Sequence, residues 1–109
     1  MAYDEWLAKR VRAALAGRRG ITERKMFGVL AFMLRGNMCC GVLRSDLVLR
    51  VGPEQHAKVV ARPHARPMDF TGRPMCGFIY VAPKGCATRS ALRSWLELAL
   101  KFAGALPRK

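Results

Sequence analysis

The sequence predicts an α+β domain: a five-stranded antiparallel sheet carrying three helices, in the order α-βββ-α-ββ-α. Two observations of pattern predict it. Apolar residues recur at helical spacing near both ends of the chain. Between them the period falls to two, in short runs separated by three-residue turns. A third observation is size. A chain of 109 residues, 51% of them apolar, makes one domain, residues 1–109, with a core of its own.

Residues 4–17 read as the first helix. Tyr3, Leu7, Val11, Ala14 and Leu15 share one face, while Lys9 and Arg12 point away from it. Asp4 and Glu5 suit the positive end of the helix dipole, and Gly17 and Gly20 are stop signals. Residues 26–34, 38–43 and 47–51 follow as a meander, turned at Arg35-Gly36-Asn37 and Arg44-Ser45-Asp46. The first of these strands is apolar on both faces, which places it either under cover on both sides or at an interface. Gly52-Pro53 opens a second helix, with Pro53 at its first position and Glu54 in its first turn; Pro63 ends it near Arg62. Residues 62–67 read as a loop holding two prolines. Residues 68–70 and 75–81 pair as a hairpin across Thr71-Gly72-Arg73. Pro83-Lys84-Gly85 turns the chain into the last helix, capped by Thr88 or Ser90, whose inner face is Leu92, Trp95, Leu96, Ala99, Ala103 and Leu106.

The formal charge is +13, from 20 basic and 7 acidic residues. So basic a domain suits an anionic partner, because neutralising phosphates releases condensed counterions. Arg outnumbers Lys 14 to 6 and Ala is the commonest residue at 15, a composition that GC-rich codon usage also produces. Nine of the thirteen net charges fall within residues 1–25 and 75–109, on or beside the terminal helices. The apolar fraction excludes a disordered polybasic tail. No stretch reaches 18 uncharged apolar residues, so no membrane span is expected. Asp4 and Glu5 stand where a secretory signal is basic and then apolar, so no signal is expected and the cytoplasm is the predicted compartment.

Residues that could carry chemistry are sparse. Cys39 and Cys40 are adjacent on a predicted strand, where strict alternation sends them to opposite faces. Cys76 and Cys86 are ten apart, no C-x-x-C is present, and His56 and His64 form no ligand pair, so no metal site is expected. Cys39 and Cys40 are the redox candidates, against the ordinary role of a buried thiol as a small apolar group. No nucleophile elbow, phosphate-cradling glycine loop or H-E-x-x-H is present; Asp46 and Asp69 sit in turns, and His64 is a loop residue. No enzyme and no cofactor are expected. Trp6 and Trp95 fall in helical patterns and read as packing residues.

Residues 25–42, KMFGVLAFMLRGNMCCGV, and 66–81, RPMDFTGRPMCGFIYV, resemble the signature of the TfoX (Sxy) N-terminal domain family. Residues 46–53, DLVLRVGP, and the helix of residues 87–107 fit the same pattern, so the resemblance covers nearly the whole chain. It implies a bacterial α+β domain with helices around an antiparallel sheet. The family's founding members regulate natural competence, acting with a cyclic-AMP receptor-type activator at promoters. Two departures stand out. Val29 occupies a position where many members carry a second glycine, and the sequence holds no C-terminal helix-hairpin-helix-type domain, so it reads as a stand-alone domain. The resemblance transfers no catalytic residues.

Charge and resemblance together lead to one expectation: a regulator that works through a protein partner and through a weak contact to DNA phosphate. The candidate phosphate patch is Lys9, Arg12, Arg18, Arg19, Arg35, Arg62, Arg66 and Arg73. The alternative is a protein-interaction or homodimerisation module with no nucleic-acid role, suggested by the two-faced apolar strand and the methionines beside the sheet.

Overall fold

The computed structural model describes residues 3–26, 28–68 and 76–107. Helix α1 (Glu5–Leu15) begins at Asp4, whose Oδ1 accepts from the backbone N–H groups of Trp6 (2.8 Å) and Leu7 (3.2 Å). It buries Leu7, Ala8, Val11 and Leu15, while Ala14 on the expected face is exposed. Four strands follow: β1 (Ile21–Met26), β2 (Val29–Leu34), β3 (Asn37–Leu43) and β4 (Asp46–Arg50). Helix α2 (Pro53–Val60) has Pro53 in its first turn, as its sequence predicts. Strands β5 (Ala65–Pro67) and β6 (Phe78–Val81) complete the sheet. A 3₁₀ turn (Pro83–Cys86) leads to α3 (Arg89–Gly104), where Thr88 Oγ1 accepts from the Ala91 N–H at 3.0 Å.

The sheet is antiparallel throughout, in the order β1-β2-β3-β4-β6-β5. It has six strands rather than five. The unexpected strand is β1, Ile21-Thr-Glu-Arg-Lys-Met26, which has no apolar face to betray it. As an edge strand it pairs only with β2 and carries exposed charge, which discourages pairing with another chain. The partner of β6 is residues 65–67, within the segment expected to be a loop. Pro67 is tolerated there because β5 is the other edge. The expected hairpin turn at residues 71–73 lies outside the described residues.

All three helices pack on one face. Leu7, Val11 and Leu15 of α1, Val59 of α2, and Leu92, Trp95, Leu96 and Ala99 of α3 share a core with Leu30, Phe32, Val42, Leu47, Leu49, Ile79 and Val81 of the sheet. The opposite face holds a smaller cluster of Val48, Met68 and Tyr80, flanked by Met38, Leu43 and Phe78. The two-faced strand is β2, and its second face, Val29 and Ala31, is buried within this single chain. Between β2 and β3 the register slips. Phe32 pairs with Cys40 but Met33 pairs with Met38, so Cys39 is the extra residue of a bulge. Among the described residues no helix is long and apolar enough to cross a membrane.

Candidate phosphate-binding face

Because α3 turns Leu92, Trp95, Leu96, Ala99, Leu100 and Ala103 into the core, its outer surface is a row at four-residue spacing: Arg89, Arg93, Glu97 and Lys101. The row is about 18 Å long at helical rise. A groove runs along each side of it. Between α1 and α3 the groove is lined by Trp6, Arg10, Arg89 and Arg93 over about 610 Å³, and continues for about 440 Å³ past Arg18 and Glu97. Between α2 and α3 a groove of about 540 Å³ is lined by Gln55, Lys58, Arg62, Lys101 and Phe102. Seven cations and one carboxylate, Glu97, line the three together. Among the described residues no acidic group pairs with Arg18, Lys58, Arg89, Arg93 or Lys101 within 4 Å.

Two of the arginines are held in place from below. Arg10 Nη2 donates to the Ala87 carbonyl at 3.3 Å, across 77 residues of sequence. The Arg62 guanidinium stacks over Trp95 at 5.1 Å, and the indole is anchored by its Nε1–H, which donates to the Gly85 carbonyl at 2.9 Å. These contacts leave donors free on both guanidiniums, since each has five N–H bonds.

Of the seven sequence-predicted cations among the described residues, Arg18 and Arg62 line these grooves and the other five do not. Arg12 instead forms a two-point ion pair with Glu23 (2.6 and 2.7 Å). Arg66 pairs with Asp46 at 2.6 Å and lies over the Tyr80 ring at 4.7 Å. Glu23 on β1 and Arg66 on β5 mark opposite edges of the sheet, so the structure does not bring these two arginines together. Lys9 sits 6.0 Å from the Trp6 ring, Arg19 is exposed in the turn after α1, and Arg35 occupies the β2–β3 turn with φ 51°. Arg73 lies outside the described residues. Sequence reading missed Arg10, Lys58, Arg89, Arg93 and Lys101. For α3 a signal existed, the four-residue row opposite the apolar stripe; for Arg10 and Lys58 none did, since their place depends on how helices pack.

The cysteines depart from simple alternation. The bulge turns Cys39 toward the same core as Cys40, and both are fully buried. A hydrogen bond with Cys39, together with burial, pushes the Cys40 thiol well above its ordinary range. Burial also raises Cys86, while Cys76 is exposed. The reading of Trp95 as a packing residue fits its burial, but Trp6 is 67% exposed and lines the α1–α3 groove. Its neighbours Leu7 and Ala8 supply the buried face of that turn, leaving the indole outside.

No curated protein and no solved structure matches the chain. The family model described as the TfoX N-terminal domain matches residues 13–103, from the second half of α1 to the last turn of α3. With that match over most of its length, the chain belongs to the TfoX N-terminal domain family.

Proposed function

We propose that this domain is a non-catalytic, cytoplasmic regulator of the competence and transcription type. It works with a protein partner at DNA and contacts nucleic-acid phosphate through the outer row of α3. One observation carries the phosphate contact: Arg89, Arg93 and Lys101 stand in a row flanked by Arg10 and Arg18 on one side and Lys58 and Arg62 on the other, against the single carboxylate of Glu97. The match to the TfoX N-terminal domain supports the protein partner as part of this reading. Structural roles for three of the seven carboxylates support the non-catalytic reading. Asp4 caps α1, while Glu23 and Asp46 hold Arg12 and Arg66.

The test is fluorescence anisotropy of a labelled 20-bp duplex across a salt series. About five phosphate contacts predict a log K against log salt slope of about −4 to −5. The R93E/K101E variant should bind more weakly at every salt and show a shallower slope, whereas R24E on the β1 edge should behave like the parent. No binding at 50 mM salt, or an unchanged slope in R93E/K101E, would remove the DNA contact from the account.

A further inference from the structure

Trp6 is the large apolar side chain left exposed among the described residues. A single exposed apolar group is ordinary by itself; its surroundings are not. The indole lies on the wall of the α1–α3 groove with Arg10 on its own helix and Arg89 and Arg93 on the facing one. The Ala87 contact fixes Arg10 near the start of α3. The first turn of α3 contains no acidic residue, so the positive end of a 16-residue helix adds to the same field.

We propose that this groove binds single-stranded nucleic acid, with Trp6 as the stacking surface for a base and Arg10, Arg89 and Arg93 as phosphate contacts. The proposal rests on the reading above that the domain contacts nucleic-acid phosphate, and it names the strand form and the groove. An accessible aromatic face beside guanidiniums is the combination that unpaired strands use, because every base offers a π-face. An acidic peptide fits less well. Its carboxylates would engage the guanidiniums but leave the exposed Trp6 ring without a flat partner. A duplex keeps its bases stacked and can ride only on the outer row of α3. A single strand can enter between two helices and present one base to the indole.

The experiment titrates the full chain with oligo(dT) 12-mer, with a 12-bp duplex and with a 12-residue polyglutamate peptide, following tryptophan fluorescence and the anisotropy of labelled probes. Oligo(dT) should quench emission. W6F should abolish the quench, because the remaining Trp95 is buried, and W6A, which removes the ring, should weaken oligo(dT) binding by about five-fold or more and leave duplex affinity nearly unchanged. Circular dichroism checks that W6F and W6A fold, and the exposure of residue 6 predicts that they do. R10A/R89A, which leaves the indole in place, should weaken oligo(dT) binding and reduce its salt slope. If duplex binds with the expected salt dependence but W6A binds oligo(dT) as tightly as the parent, the groove assignment fails and the phosphate reading stands. If neither nucleic acid binds at 50 mM salt, both fail. Polyglutamate binding as tightly as oligo(dT) would reduce the site to a generic polyanion surface and overturn the assignment.

Discussion

Glu23 and Arg12 show how a surface contact becomes a pH dependence. The hydrogen bond from the Arg12 guanidinium, reinforced by its charge, holds the Glu23 carboxyl below the usual glutamate range. A group depressed in the folded state contributes stability above its unfolded pKa, about 4.3, and loses it as pH falls through the lower folded value. E23Q should therefore flatten the acid limb of a plot of urea midpoint against pH below about 4.3; a limb as steep as the parent's would contradict the pairing. The thiols give a second check at this scale. With a thiol reagent at neutral pH, Cys76 should react in the native protein, while Cys39, Cys40 and Cys86 should wait for unfolding. Rapid labelling of Cys39 or Cys40 in the folded protein would favour the redox role that their sequence position suggests. Their burial in one core was not legible in the sequence, because a bulge is a property of two paired strands and alternation along one strand cannot reveal it.

At the scale of elements, the helices were the most readable part of the chain. Helices α1 and α3 have an apolar stripe, α2 buries Val59 alone, and each has a local start signal: Asp4 for α1, Pro53 for α2, Thr88 for α3. These signals act within one turn and need no tertiary context. D4A should cost about 0.5–2 kcal/mol in urea unfolding, since two backbone N–H groups lose their acceptor. Strand β1 was unreadable for the opposite reason. It owes its place to ladder bonds with β2 and to solvent on its outer side, not to a buried stripe. The entry to α2 supplies a test of backbone geometry. Gly52 has φ 85° and ψ 160°, a region open essentially to glycine, and its Cα faces the Phe102 ring. G52A combines strain with overpacking and should destabilise by about 2 kcal/mol or more; a neutral G52A would contradict both the positive φ of residue 52 and its close approach to Phe102.

For the whole molecule, net charge said that an anion was a fitting partner but not where it would sit. Some arginines are consumed by structure: Arg12 and Arg66 are paired at opposite edges of the sheet. Others meet only because α1, α2 and α3 pack side by side on one sheet face. The juxtaposition of Arg10 with Arg89 joins residues at opposite ends of the chain, and no local pattern encodes it. The helix layer, and α3 within it, is the proposed meeting place of nucleic acid with this domain. Backbone amide chemical-shift mapping with a labelled chain and an unlabelled 12-bp duplex at low salt addresses it directly. Shifts should concentrate at Arg89, Arg93 and Lys101 and along the flanking stretches at Arg18 and Arg62, leaving β1 and β5 unmoved. Shifts centred on the β1 or β5 edge, with α3 silent, would contradict it.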